Sequence, residues 1–451
     1  MARRLLPLLL AALAVFSCGG PEADPRPQNV IFVLVDTLRA DHLGIYGYSR
    51  ATSPTVDAFA RESVLFTDNR SQAACTYPSV NSILTSRSPT AFLDQPDESL
   101  GIPAGVPSLA EILQANGYRT VALSGSPIMR KSPSRFNPVG GFDRGFEVFD
   151  EECLWKTAGC LNRRAAPHLK QGDRPLFLYL HYMDPHGPYT PPKAFRRKFA
   201  RIHPDKEFIR KGDPNPIGEM LYKGGPDVGL TPADVQHLVD LYDGEIAYFD
   251  SRFAVLLQAI RDAGLAEDSI VVFAADHGEE FLEHGHIKHC RTLYDTLIRT
   301  PLMLRVPGVP ARAVAAPVQN LDIVPTLLDY LGIDPAGQTF EGRSLRPIME
   351  GEEGEEDGAG SHQFAWQGGL RSASDGRHKL IHDIGFKSFE LYDLRNDPKE
   401  KADVLTRERR VFHRLRETLG GWITRTEGKG DEGLRKSREA EEKLRALGYI
   451  E

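Results

Sequence analysis

Residues Asn29-Val30-Ile31-Phe32-Val33-Leu34-Val35 form an unbroken apolar run rich in β-branched side chains. A strand with one wet face alternates polar and apolar residues, whereas a strand with no polar position has to be covered on both faces. That is the pattern of a central strand in a parallel sheet. Two further runs, at 175–180 and Ser269–Ala275, share it. Helical stretches at 107–116 and from 231 to near 264 alternate with them, and the order predicts an α/β fold with a large, mainly parallel mixed sheet flanked by helices. Shorter strands are expected at Val64–Phe66, 119–123 and 301–306, with a loop and strand in 142–149 and a helix at 322–331. A chain of 451 residues is long enough for one large domain and a smaller one.

In open α/β sheets, ligands sit just beyond the carboxyl ends of the strands. The first run ends in Asp36, and the second leads into His181, Asp184 and His186, held between prolines. The third leads into Asp276-His277-Gly278-Glu279-Glu280 and then Glu283-His284-Gly285-His286-Ile287-Lys288-His289, the densest ionisable cluster in the chain. A lone Asp after a strand is ordinarily a helix cap, and the 181–189 stretch also reads as a rigid turn with solvated histidines. A cluster as dense as 276–289 is hard to explain as a solvated face. Between the strands, the small residues Ala73-Ala74-Cys75 deliver the hydroxyl of Thr76 to a predicted helix in which Pro78 fits the first turn. Free N–H groups at that helix start would face whatever anion Thr76 holds or becomes. An ordinary N-capped helix, with Thr76 or Ser79 as cap, is the plainer alternative.

Export is written at the start of the chain. Arg3 and Arg4 precede an apolar run at 5–16 that ends Val15-Phe16-Ser17-Cys18-Gly19. This resembles a bacterial lipoprotein signal over residues 1–18, with Cys18 as the lipidation site and residues 19–28 as a tether. The expected location is the bacterial periplasm or cell envelope, lipid-anchored, with plain secretion as the alternative. No second hydrophobic stretch is long enough to span a membrane. Export permits disulfides, and Cys153 with Cys160 is the expected pair. Cys75 and Cys290 each adjoin a candidate site residue, and whether they bond stays open. A net charge of −7 gives no reason to expect nucleic acid.

The 29–350 stretch reads as the catalytic domain, with a Lys-, Arg-, Pro- and Gly-rich surface insertion at 193–230 that is a candidate lid. Residues 351–360 are an acidic, glycine-rich linker or loop. A small C-terminal subdomain follows over 361–425, with strands at 377–382 and 389–394 and a helix at 404–424, and then a charged tail at 426–451.

Taken together, these motifs resemble the sulfatase family within the alkaline phosphatase superfamily. The residues that carry the resemblance are Val35-Asp36-Thr37-Leu38-Arg39-Ala40-Asp41-His42-Leu43-Gly44, Thr76-Tyr77-Pro78-Ser79, Met183-Asp184-Pro185-His186 and Asp276-His277-Gly278-Glu279. Glu283-His284-Gly285, Thr292-Leu293-Tyr294, Gly342-Arg343-Ser344-Leu345 and Glu390-Leu391-Tyr392-Asp393-Leu394 also fit. The resemblance implies a small C-terminal domain built on an antiparallel sheet and a helix. It puts Asp36, Asp276 and His277 on metal-ligand positions and Thr76 on the nucleophile, itself a ligand. Members whose nucleophile is formylglycine show Cys-x-Pro-x-Arg; here Thr76 holds that place, Cys75 is one residue early and Val80 replaces the arginine. Thr37 stands where a second aspartate is common, and a lysine and a histidine of arylsulfatase sites have no counterpart in 124–127.

A threonine nucleophile is similar to that of phosphodiesterases, phosphonate hydrolases and phospho-headgroup transferases of the same superfamily. The expected chemistry is in-line attack by Thr76 on a sulfate or phosphate ester, giving a covalent intermediate. His289 would protonate the leaving oxygen, and His186 and His284 would hold oxygens or act as base. Lys288 and Asp184 are read as substrate-binding. One divalent ion is expected, zinc or manganese by ligand softness, with calcium as the alternative. The partners implied are a sulfated or phosphorylated small molecule, glycan or lipid, and a membrane reached through the lipid anchor. Two other functions fit the same residues: a headgroup transferase acting on a glycan or lipid, and a catalytically silent binding protein that retains the fold.

Overall fold

A computed structural model describes residues 28–427 apart from 92–100, 103–104, 138–139, 156, 202–203, 336 and 352–360. The signal segment with Cys18, most of the tether, all but the first residue of the linker and the tail from 428 onward lie outside the described residues.

The strand Asn29–Val35 lies between Leu176–Tyr182 and Ser269–Ala275, parallel to both. All three are buried along their full length. Their alternate side chains feed two cores. Val30, Phe32 and Leu34 point into one, with Val80, Ile83 and Leu84 of the helix Thr76–Thr85. Ile31, Val33 and Val35 point into the other, against Leu241, Ile246 and Phe249 of the long helix Pro232–Asp262. Thr231 and Asp234 start that helix with a reciprocal capping box, and Pro232 occupies its first turn. Burial on both sides explains the absence of polar positions in the three runs.

Among the described residues the sheet has eight strands in the order Arg312–Val314, Val64–Phe66, Leu302–Arg305, Ser269–Ala275, Asn29–Val35, Leu176–Tyr182, Arg119–Ser124 and Val148–Asp150. Only Leu302–Arg305 runs antiparallel to its neighbours, so the sheet is mixed and mainly parallel.

The C-terminal part is a four-stranded antiparallel meander, Gln363–Gln367, Leu370–Ser374, His378–Asp383 and Ser388–Asp393. Leu415, Leu419 and Trp422 of the helix Arg409–Glu427 join its residues Trp366, Leu380 and Leu391 in the first core. That helix begins later than the sequence pattern suggested, because the Val404 N–H is bonded to Leu391 O at 2.8 Å and the chain turns there first. Residues 193–230 contain three short helices, Lys193–Phe199, Glu207–Arg210 and Asn215–Lys223. They bury Phe199, Ile209 and Ile217, which too few turns separate for a periodic pattern to show. Tyr222 Oη donates to Ile287 O at 3.0 Å, tying the last of these helices to a small hairpin, Glu280–Phe281 with Ile287–Lys288, that sequence periodicity did not reveal. No helix among the described residues is long and apolar enough to cross a membrane.

Candidate active site

Parallel pairing puts the carboxyl ends of the three central strands side by side. Val35 pairs with Ala275, so the next residues, Asp36 and Asp276, leave the sheet together, and His181 pairs with Leu34 from the other side. One ligand atom from each of Asp36, His181 and Asp276 lies within 4.8 Å of the others, and all three side chains are buried. Asp36 Oδ2 is 3.2 Å from His181 Nε2. Asp276 Oδ1 accepts the N–H groups of Thr37 at 3.1 Å and His277 at 2.7 Å, which turns Oδ2 toward the centre. Asp36 Oδ1 and Asp276 Oδ2 are both buried with no hydrogen-bond partner among the described residues. Burial and the neighbouring Asp276 push the Asp36 pKa well above the usual carboxylate range. Burial pushes His181 down to about 4, which leaves a neutral imidazole able to act as a ligand. Two buried carboxylate oxygens facing each other unpaired are costly, and a cation between them removes the cost. The residues therefore fit a divalent ion.

Thr76 opens the helix Thr76–Thr85, with Cys75 in extended backbone as its N-cap residue. Neither Thr76 nor Ser79 serves as the side-chain cap of that helix. Ser79 Oγ instead donates to Asp276 O at 2.6 Å, fixing the helix to the end of the central strand. Thr76 Oγ1 lies 3.1 Å from His277 Nε2, and the hydroxyl also bonds Asp36. His277 Nδ1 is 2.9 Å from Gly278 O, a pure acceptor, so Nδ1 carries the proton and Nε2 turns its lone pair to Thr76. Nε2 is also 3.5 Å from Asp276 Oδ2. Donor separations of 3.1–3.5 Å match the spacing of about 3.3 Å expected for ligands sharing one small tetrahedral ion. Gly278 is required at its position, since a Cβ there would lie 2.0 Å from Thr296 O.

His289 closes the site from the hairpin side. Its ring centroid is 4.6 Å from that of His277 and 5.1 Å from that of His186. Its Nδ1 donates to Glu279 Oε1 at 2.9 Å, and Tyr189 Oη donates to Glu279 Oε2 at 2.9 Å. Glu279 is thus held at both oxygens, and it fixes the His289 tautomer with Nε2 free. Burial, then the adjacent His277, depresses the His289 pKa well below the usual range; burial also raises that of Glu279. His186 donates Nδ1–H to Gly187 O at 2.6 Å, and burial and His289 push it down to about 3. The Lys288 charge acts on His186, His289 and Glu279, while its Nζ is bonded to Asn215 Oδ1 at 3.0 Å. Arg39 supports the segment from below, donating to Glu279 O at 2.9 Å and to Glu283 Oε1 at 2.5 Å.

Two expected site residues are placed elsewhere. The Asp184 carboxylate is not free for substrate: Oδ2 accepts the Ala158 N–H at 2.7 Å, at the start of the helix Ala158–Ala165. Burial raises its pKa to about 6, and it is hydrogen-bonded to Glu245, so the two buried carboxyls share a proton. The His284 ring stacks on Tyr294 at 3.5 Å, toward the C-terminal sheet, and its depressed pKa reflects burial and then Lys401 and Lys379 rather than the strand-end residues. Conversely, His181 and Glu279, named from the sequence only within a strand exit and a cluster and given no role there, belong to the site. His181 is camouflaged inside a strand, and Glu279 is one of several carboxylates in a dense cluster; only the register and the hydrogen bonds separate them from their neighbours. Both cysteine pairs are bonded, Cys153 with Cys160 and Cys75 with Cys290.

Comparison with known proteins gives this geometry its context. The sulfatase family matches residues 28–333, and the N-sulphoglucosamine sulphohydrolase C-terminal family matches residues 282–424. A sulfatase of Formosa agariphila is 24% identical over 448 residues, covering 87% of each chain. Human N-sulphoglucosamine sulphohydrolase is 26% identical over 461 residues, covering 88% of this chain and 90% of its own. The crystal structure of the phosphonate monoester hydrolase of Agrobacterium radiobacter superposes with a TM-score of 0.69 at 22% identity, covering 90% of this chain and 96% of its own. With the family match running through all three central strands and the residues at their ends, the chain belongs to the sulfatase family and is an ester hydrolase of that family.

Proposed function

We propose that the protein is an exported, metal-dependent hydrolase of sulfate or phosphorus esters that uses Thr76 as its nucleophile. The observation that carries this is a buried hydroxyl at a helix N-terminus, 3.1 Å from a histidine lone pair and beside two unpartnered carboxylate oxygens. Asp36, His181 and Asp276, with His277 and Thr76 beside them, would hold the ion. Two imidazoles among the donors favour zinc or manganese over calcium. When bound, the ion lowers the pKa of a neighbouring hydroxyl and neutralises charge on the ester. Thr76 Oγ1 forms the new bond to sulfur or phosphorus as the bond to the leaving oxygen breaks, and the hydroxyl proton passes to the Asp36 carboxylate it is bonded to, since the His277 Nε2 lone pair would face the ion. The leaving oxygen takes a proton from His289 Nε2, whose protonated form is favoured once an anionic ester lies against it and Glu279 faces its other nitrogen. Backbone N–H groups of the first helical turn and the Lys288 charge oppose the negative charge on the transferred group. Water then hydrolyses the threonine ester, with His186 Nε2 as base. A threonine ester cannot collapse as a formylglycine hemiacetal does, which favours phosphorus substrates. Export with lipidation at Cys18 is supported by the N-terminal pattern and by two disulfides, which persist in oxidising compartments.

The test compares 4-nitrophenyl sulfate, phosphate, phenylphosphonate and a diester on protein starting after Cys18, with metals added singly and Thr76→Ala as control. Turnover that falls by at least about 10³-fold in Thr76→Ala is expected. Turnover that survives the substitution refutes the nucleophile.

A further inference from the structure

The Cys75–Cys290 bond spans 215 residues of sequence, and its ends are the residue before Thr76 and the residue after His289. It therefore joins the two loops that carry the proposed nucleophile and the proposed acid. Around it the joint is tight. The Cys290 N–H donates to Ala74 O at 2.9 Å, and Cys75 is fully buried. Gln367, at the end of the first strand of the C-terminal sheet, donates Nε2 to Cys290 O at 3.0 Å and lies 3.7 Å from Cys75 Sγ. The next residue up that strand, Trp366, bonds its N–H to Gln72 O at 2.8 Å, so the C-terminal sheet grips the nucleophile loop as well.

The backbone shows why a joint is needed there. Lys288 and Cys290 both have positive φ, +70° and +72°, so His289 is carried between two residues in the left-handed region. Non-glycine residues stay in that region only where their surroundings over-determine them. The hairpin pairing and Asn215 hold Lys288; the disulfide and Gln367 hold Cys290.

We propose that Cys75, Cys290 and Gln367 are positioning residues that set His289 against Thr76, so that acid and nucleophile act on the same ester. The proposal rests on the roles given to Thr76 and His289 above. It predicts a specific defect. An ester with a poor leaving group needs the proton from His289, whereas a 4-nitrophenyl ester does not. Loosening the joint should therefore cost poor leaving groups far more than good ones.

The experiment measures kcat and KM of wild type, Cys75→Ser/Cys290→Ser, Gln367→Leu, Cys153→Ser/Cys160→Ser and His289→Ala. The substrates are an alkyl and a 4-nitrophenyl ester of the acid the wild type turns over best. The first two variants are expected to lose about 30- to 100-fold in kcat on the alkyl ester and under about threefold on the 4-nitrophenyl ester, with KM little changed. Cys153→Ser/Cys160→Ser should lose neither. Equal losses on both esters, or none, overturn the proposal. If His289→Ala itself shows no dependence on the leaving group, the assignment of the acid has failed instead. Should the double serine variant not fold, folded wild-type protein is treated with a phosphine reductant, its freed thiols are alkylated, and Cys75 and Cys290 are mapped by mass spectrometry. The same leaving-group split must then track their labelling.

Discussion

Asp36→Asn should stabilise this protein without metal and disable it with metal. Asp36 and Asp276 present buried oxygens within 4.8 Å of each other, and neither unpartnered oxygen has a compensating donor among the described residues. Two unit charges at that distance repel by roughly 3.5 kcal/mol at an effective dielectric of 20. The metal-free wild type relieves part of this by holding a proton on Asp36, so the gain from a neutral amide is expected at about 1–3 kcal/mol. For a chain of this size that corresponds to a rise of about 1–3 °C in Tm. The loaded proteins should behave in the opposite way. A metal at 100 times its Kd stabilises by about 2.7 kcal/mol, and the variant, lacking one anionic ligand, should gain little of it. The assay is thermal unfolding of chelator-treated protein, with zinc, manganese or calcium then titrated back and metal content measured. If Asp36→Asn melts below wild type without metal, or if added metal shifts both proteins equally, the two carboxylates do not form a cation site.

Three further outcomes are expected. Glu279→Gln removes the charge that orients His289 and should lower kcat about 10- to 100-fold, while Tyr189→Phe, which leaves Glu279 in place with one donor fewer, should cost less; metal content should not change in either. Asp184 and Glu245 share a proton, and the raised pKa of about 6 means the folded state binds it more tightly than the unfolded chain does. Their contribution is thus complete below about pH 4 and is lost as pH rises through about 6. Glu245→Gln should flatten the decline of Tm between pH 5 and 8, and an unchanged profile would refute the shared proton. Lys379 is fully buried, with Nζ bonded to Asp295 Oδ1 at 2.7 Å and to Leu293 O at 2.9 Å across the junction of the two sheets. Lys379→Met should destabilise by about 3–5 kcal/mol in denaturant titration, because it strands the buried Glu400 carboxylate, whose Oε1 lies 2.5 Å from Nζ, while Asp295 keeps its pair with Arg70.

The sequence by itself determined the framework. Unbroken apolar runs admit few positions other than the middle of a covered parallel sheet, and Asp36 and Asp276 are one residue past the ends of two of them, so their convergence follows from parallel pairing. The Thr76 helix was legible as a helix, but its first turn carries two hydroxyls, and only the tertiary structure sends Ser79 to Asp276 O and leaves Thr76 beside His277. The third dimension decided which of the many ionisable residues after these strands turn inward. His181 and Asp184 are three residues apart, and only pairing register and the packing of the helix Ala158–Ala165 send one to the Asp36–Asp276 cluster and the other to a helix start. His284 and His289 lie in one hairpin segment, yet one ring stacks on Tyr294 while the other lies against His277 and Glu279. Those choices depend on contacts between residues 10 to 215 positions apart. Local propensity and hydrophobic period carry no information about them, because both act over a few residues, whereas the desolvation of a charge is decided by everything packed against it.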